Sequence, residues 1–437
     1  MDKYPYFKIG EICNIVKGET GIASATPGAH PLVNTGAEKK SCNTYQFDAD
    51  AVCIPLVSST GHGKKTLNYV HYQSGKFALG TILAAVIPKD SQKLSAAFLH
   101  RYLQFYKDQK IVPLMKGAAN VSLAIKDIAK IEVPVPPISE QKSCIELFNK
   151  LNDSNIKLQS EFFNQSNCLS SLRQTILQEA IEGKLTADWR KKNPELISGE
   201  NHASKLLEKI KAEKERLIKE GKIKKEKPLS IIKDEENPSD LPAGWVWCRL
   251  GNAFKFIDYR GKTPHKTNEG VRIITAKNIK RGYIDEHPIE YISNDLYVKW
   301  MTRGYPQNGD ILIVTEGHTM GYAAIIDKSY IFALAQRTID LQPYFTNYNK
   351  WSLYSILSPS FQKRFRNKAT GAAATGIKSS ILKLLLIPFP PIAEQQAIVE
   401  RVDKLMTMID ELEKQVTERK NKSERLMQSV LREAFAQ

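Results

Sequence analysis

Along two long stretches of the chain, seam positions recur in alternating steps of three and four residues. The first runs Phe148, Leu151, Asn155, Leu158, Phe162, Gln165, Leu169, Leu172 and Ile176. The second runs Val402, Leu405, Ile409, Leu412, Val416, Arg419, Ser423, Leu426 and Val430. These steps are the a and d positions of a heptad, and most of the residues on them are apolar. The pattern predicts two long helices, each with one seam. Pro136-Pro137 precedes the first stretch and Pro390-Pro391 the second. Proline cannot sit inside a helix, so each helix is expected to start just after its pair. Ser139 is the expected N-cap of the first, with Ala393 at that place in the second. The first is expected to end at Gly183; the second has neither Pro nor Gly as far as Gln437. About 44 residues at a ~1.5 Å rise give each a length of roughly 65 Å.

The two stretches are copies. Val133-Pro134-Val135-Pro136-Pro137-Ile138-Ser139-Glu140-Gln141 returns as Ile387-Pro388-Phe389-Pro390-Pro391-Ile392-Ala393-Glu394-Gln395, an offset of 254. Leu172 to Ala180 returns as Leu426 to Ala434 at the same offset, and so does Gly117-Ala118-Ala119 as Gly371-Ala372-Ala373. Further upstream Ile9-Gly10 matches Leu250-Gly251 at an offset of 241, so the second half gains 13 residues before the Gly-Ala-Ala loop. A repeat this long points to two-domain pseudo-symmetry rather than a solenoid. The helices are expected to pair as an antiparallel coiled coil, since each follows its own domain directly. The pairing set is Phe148, Leu151, Leu158, Phe162, Leu172 and Ile176 against Val402, Leu405, Ile409, Leu412, Val416, Leu426 and Val430.

The segments before the helices show β-branched runs at Val52–Val57, Ile82–Ile87, Arg272–Thr275 and Ile311–Thr315, which read as buried strands. Ala96–Lys107 and Lys350–Arg366 read as helices. The fold class is α+β, with two β-rich domains each followed by a long helix. The expected boundaries are a first domain over 1–138, its helix over 139–185, a charged linker with one short helix over 186–240, a second domain over 241–391 and its helix over 392–437.

Charge adds a partner to this picture. The chain of 437 residues carries a net +16 with a pI near 9.3. Residues 1–140 account for +5 and residues 241–391 for +10, while the repeated helices are close to neutral. The excess on the two β-rich domains favours an anionic partner such as nucleic acid. The six cysteines are scattered with no C-x-x-C pair, which fits a reducing cytoplasm and argues against a zinc site or disulfide framework. No apolar run approaches the ~20 residues of a membrane span. The opening MDKYPYFKIG has no apolar core for a signal peptide.

Catalytic motifs are not found. An adenine methyltransferase would show an Asp/Asn-Pro-Pro-aromatic string. Val135-Pro136-Pro137-Ile138 and Phe389-Pro390-Pro391-Ile392 lack both its ends. Ser58 to Lys65 misses the first glycine and the hydroxyl of a phosphate loop. Glu182-Gly183-Lys184 and Glu220-Gly221-Lys222 match a nuclease E-x-K by spacing alone. No catalytic or metal-ligating residue is assigned.

What remains is a set of loops mixing cations, amides and hydroxyls with glycine. Glycine lets the backbone approach a phosphate, Arg and Lys neutralise it, and Asn, Gln and Arg can read base edges. The candidate DNA-binding residues in the first domain are Thr60, His62, Lys64 and Lys65, then Lys116 and Asn120 beside the Gly-Ala-Ala loop. In the second they are Arg260, Lys262 and Thr263, then Lys277, Asn278, Lys280 and Arg281, then His318 and Thr319, and finally Arg364, Arg366 and Lys368.

A domain that ends in a Gly-Ala-Ala loop, an apolar strand, P-x-P-P-I-x-E-Q and a long helix, given twice, resembles the specificity subunit of type I restriction–modification systems. Leu241-Pro242-Ala243-Gly244-Trp245-Val246-Trp247 opens the second half as that family does. Tyr4-Pro5-Tyr6-Phe7 departs from the phrase in the first. The resemblance implies two target-recognition domains, each reading one half of an asymmetric bipartite DNA sequence, with the paired helices as a ruler for the gap. It implies docking of two modification subunits, and of restriction subunits through that complex of two modification subunits and one specificity subunit. S-adenosylmethionine, ATP and magnesium would serve those partners in adenine-N6 methylation and cleavage, with no cofactor and no catalysis in this chain. A cytoplasmic location follows. Two other readings stay open: a DNA-binding scaffold without sequence preference, and a fused methyltransferase–nuclease.

Overall fold

A computed structural model describes residues 4–60, 63–259, 263–335, 337–345, 348–371 and 375–436. The chain divides into two compact units, residues 1–164 with 417–437, and residues 165–416.

In the first unit, strands Cys13–Lys17, Leu83–Pro88, Ala51–Pro55 and His71–Gln73 form an antiparallel sheet in that order. A second sheet places Lys40–Cys42, His30–Val33, Lys76–Leu79 and Phe47–Asp48 side by side, with one parallel pair, His30–Val33 on Lys76–Leu79. The central strands are buried on both faces, which is why Ala51–Pro55 reads as a continuous apolar run. Helix Ala96–Lys110 covers the first sheet.

The second unit repeats the plan. Phe254–Asp258, Thr338–Pro343, Ile311–Val314 and Ala323–Ile325 form an antiparallel sheet. Tyr291–Ile292, Val271–Ile274 and Phe332–Leu334 form the other, again with one parallel pair, Val271–Ile274 on Phe332–Leu334. The helix expected over Lys350–Arg366 is two helices, Asn349–Leu357 and Pro359–Asn367. The break comes from Ser358-Pro359: the Ser358 hydroxyl caps Phe361 N at 3.4 Å, and Pro359 fits the first helical position. The stretch 186–240 contains two α-helices where one was expected, Ala187–Lys192 and Ala203–Lys219, and residues 230–236 are tied to the sheet. The buried Arg249 guanidinium donates to Ser230 O, Ile231 O and the Glu236 carboxylate.

The long helices span Ile138–Ile181 and Ile392–Ala436. Both start at the isoleucine after Pro-Pro, so Ser139 lies within the first turn rather than capping it. The starts are held instead by glutamine: Gln141 Nε2 donates to Pro136 O and Gln395 Nε2 to Pro390 O, both at 2.8 Å. Next to them, Glu140 accepts from the Tyr4 hydroxyl and Glu394 from Trp245 Nε1. Tyr4 therefore occupies the place of Trp245. Strand Tyr6–Lys8 pairs with Glu132–Pro134 just as Val246–Arg249 pairs with Leu386–Phe389. The first helix ends at Gly183, whose φ of +69° lets Lys184 N reach Glu179 O and Gly183 N reach Ala180 O.

Contacts between the helices have opposite senses within each unit. In the first, Cys144 meets Ala434 O and Gln159 meets Glu424. In the second, Arg173 meets Glu413 and Asp410, and Arg401 meets Leu185 O. Phe162, Ile176, Val402 and Ile409 are buried, while Phe148, Leu151, Leu158, Leu405, Val416 and Val430 are half-buried. Three expected pairing residues are not on the seam: Leu172, Leu412 and Leu426 are 44 %, 45 % and 66 % exposed. After Leu169 and Ser423 the seam steps by four residues, to Arg173 and Met427, at the same place in both copies. A step of four breaks the heptad and turns the next d position outward. Leu412 yields to Glu413, which receives Arg173.

Candidate nucleic-acid interface

In each unit a fully buried strand, Ala51–Pro55 or Ile311–Val314, leads toward a glycine loop, and a second hairpin is bridged to the base of that loop. Val57 and Lys116 both bridge to Ser122 in the first unit; Glu316 and Thr370 both bridge to Gly376 in the second. The hairpin turns on Gly117 and Gly371, with φ of +122° and +119°. A Cβ at Gly117 would lie 2.1 Å from Asn120 O, so no other residue fits there. Gly117 and Gly371 are thus the turning points of the two hairpins.

The first unit's loop is built from its own hydroxyls. Thr60 Oγ1 bonds Thr66 Oγ1 at 2.7 Å, and Ser58 Oγ meets Thr66 Oγ1 at 3.2 Å. Thr60 is exposed and its hydroxyl also helps shape the loop. Lys64, Lys65 and Asn120 are exposed. Lys116 is also exposed but bound: its ammonium lies 3.1 Å from Asp127, whose other oxygen takes Lys130 at 3.2 Å. The two ammonium groups hold the buried Asp127 carboxyl below the usual carboxylate range. Lys116 thus already has a carboxylate partner within the fold.

In the second unit Gly317 N bonds Thr375 O at 3.0 Å, leaving His318 exposed and Thr319 half-buried at the loop tip. Two candidate residues belong to the fold instead. Asn278 is 1 % exposed; it donates to Asp285 O and Pro288 O and accepts from Thr275. Arg364 is half-buried, donates to Leu386 O at 3.0 Å and lies 5.9 Å from the Trp247 ring. Both satisfy buried backbone carbonyls, a role that cannot be told from base reading without the tertiary fold. Lys280 donates to Lys277 O and leans toward Asp285. Lys277, Arg281, Arg366, Lys368 and Thr263 are exposed. His62, Arg260 and Lys262 lie outside the described residues.

One group was missed by the sequence reading. Arg281 and Arg366 line one cleft of about 380 Å³ together with Gln174, Pro359, Gln362, Lys363 and Asn367. Lys363 and Arg366 stand one turn apart on helix Pro359–Asn367. That i, i+3 spacing was the available signal. Among the described residues no group of His, Cys, Asp and Glu is placed to hold a metal ion. No described helix is long and apolar enough to cross a membrane.

This duplicated strand, loop and hairpin matches a family model. The type I restriction modification DNA specificity domain fits residues 1–164 and again 242–419. The chain belongs to this specificity-domain family. Among relatives, it is 32 % identical over 259 residues to the type I restriction enzyme EcoAI specificity subunit of Escherichia coli, covering 57 % of this chain and 42 % of that one. It is 30 % identical over 273 residues to the EcoEI specificity subunit of the same species, covering 60 % and 43 %. The matched stretch spans less than half the length of either relative. Among solved structures, a chain from a study of complex assembly and conformational transition in a type I restriction–modification system superposes with a TM-score of 0.61. It is 16 % identical and covers 99 % of this chain and 97 % of that one. The specificity-domain fold, given twice with its long helices, is thereby established.

Proposed function

We propose that this chain is the DNA-sequence specificity subunit of a type I restriction–modification complex and performs no chemistry itself. Each unit would place its glycine loop and hairpin against one major-groove segment, so that the two together recognise an asymmetric bipartite target. Phosphate contacts would set the register, and a few polar side chains would read bases, each good bidentate pair contributing about 1–3 kcal/mol of discrimination. The long helices would fix the unread gap and offer the docking surface for two modification subunits. Those partners would bring S-adenosylmethionine and the adenine pocket, and restriction subunits would add ATP-driven cleavage. A flipped adenine would enter the partner's site.

The observation that carries this reading is a repeated frame with unlike loops. The hairpin turn and helix start recur at offset 254, while the loop tips carry Lys64 and Lys65 in one unit and His318 and Thr319 in the other. One frame holding two sets of side chains suits two different half-sites. A methylome of cells carrying this chain with its modification partner tests it. One bipartite, asymmetric methylated motif is expected. Methylation at no defined motif would favour a scaffold without sequence preference. Methyl transfer or cutting by the purified chain alone would favour the fused enzyme.

A further inference from the structure

The walls of the cleft in the second unit are tied together by hydrogen bonds. Ser360 N, in the first helical turn, donates to Gln178 Oε1 at 3.1 Å, fastening helix Pro359–Asn367 to the first long helix. On the other side the buried Gln362 Nε2 donates to Gly321 O at 2.8 Å, fastening the same helix to the glycine loop. Gly321 has φ +91°, and a Cβ there would lie 2.3 Å from Gln362 Oε1, so the contact requires glycine. Gly282 N bonds Ala323 O at 2.8 Å, which sets Arg281 beside the loop, with its guanidinium 5.1 Å from the Tyr322 ring centre.

The lining has three cations, Arg281, Lys363 and Arg366, three amides, Gln174, Gln362 and Asn367, and no carboxylate. Lys363 and Arg366 are exposed, and neither pairs with a carboxylate among the described residues. A cleft of this composition has a ready partner in a phosphodiester oxygen, which accepts from both cations and amides without a proton of its own. The aligned positions of the first unit carry no cation. At offset 254, Gln362, Lys363, Arg366 and Asn367 correspond to Asp108, Gln109, Val112 and Pro113.

We propose that this cleft seats a backbone phosphate of the DNA, so that the half-site held by the second unit supplies more of the salt-dependent affinity than the other. The inference rests on the DNA-binding reading above but adds the ligand chemistry, the residues and the asymmetry. Lys363 and Arg366 hold the phosphate; Gln178 and Gln362 are positioning residues that keep the cleft walls in place.

The test is a salt titration of DNA binding by the full chain, on target duplex and on a mixed-sequence duplex. It compares wild type, Lys363→Ala/Arg366→Ala, and a charge-matched control, Lys211→Ala/Lys219→Ala, on the exposed face of helix Ala203–Lys219. The cleft variant should bind both duplexes on the order of tenfold more weakly. The slope of log K against log salt should shrink by about one, with the preference for target unchanged. The control should match wild type. Equal affinity and slope in cleft variant and control would overturn the phosphate seat and leave the specificity reading standing. A loss confined to the target duplex would also overturn it, by making these residues base readers. A wild type with equal affinity for both duplexes but the expected cleft effect would support the seat while sinking the specificity reading. Titration with inorganic phosphate alone separates the remaining source. Tight saturation that Lys363→Ala/Arg366→Ala abolishes would assign the cleft to a free anion and refute the DNA assignment.

Discussion

The Glu394 carboxylate has no exposure and accepts from Thr186 Oγ1 and Trp245 Nε1, both at 2.7 Å, and from Arg190. One side chain thereby joins the segment after the first long helix, the entry of the second domain and the start of the second long helix. Removing it leaves a largely buried guanidinium unanswered, so Glu394→Ala should cost about 3–5 kcal/mol. Its equivalent Glu140 is exposed and bonds Tyr4, and Glu140→Ala should cost about 1 kcal/mol or less. Urea unfolding of the two variants checks the contrast, and equal midpoints would reject it. A second buried acid site sits in the sheet. Asp310 and Asp340 are both buried; Asp310 accepts from Gln307 N and Gln342 Nε2, and Lys255 lies nearby. Burial raises the Asp310 carboxyl to about 6, and burial with the facing Asp310 charge pushes Asp340 well above the usual range. Burial thus favours the neutral form of Asp340 in the folded chain. The folded chain therefore keeps a proton that the unfolded chain releases near pH 4. Stability should fall as pH rises from about 4 through about 6 and beyond, by up to about 1.4 kcal/mol per pH unit. Asp340→Asn should flatten that slope, and identical pH profiles of unfolding would refute the retained proton. Side chains such as these were not legible beforehand. Asn278 and Arg364 look like base readers in the sequence and turn out to bond buried carbonyls.

At the scale of elements, the long helices were readable because their signals are local: Pro-Pro before, Gly183 after, and a heptad between. The seam was readable only while the step held. Where it changes at Arg173 and Met427, the heptad places Leu172 and Leu426 inward and the structure turns them out. One polar residue on the true seam, Arg173, is invisible to a hydrophobic pattern because its partners Glu413 and Asp410 lie on the other helix. The break at Ser358-Pro359 was in the sequence and is a regular start signal. Under the proposed ruler, removing one heptad from each long helix at facing positions shortens it by about 10 Å. Methylome mapping should then show a gap shorter by about three base pairs, with both half-sites kept. A gap of unchanged length would reject the ruler.

For the molecule as a whole, the repeat gives the two units one frame around different loops, and the proposed function makes those loops exchangeable. Replacing residues 1–130 by another target domain of the family should therefore change one half-site of the methylated motif and leave the other. A change in both would refute modular recognition. The sequence by itself determined the duplication, the two long helices, the β-rich domains and their excess charge, because each follows from local spacing and composition. Only the tertiary structure decided that Tyr4 takes the place of Trp245, since the match is one of strand register and a shared glutamate rather than of residue type. Only it decided which cations are spent on the fold and which stand free. A charge is answered by whatever the chain brings within a few ångströms, and for Lys363 and Arg366 that is a cleft without a carboxylate. Pattern along the chain fixes elements; distance across it fixes which side chains remain available to a ligand.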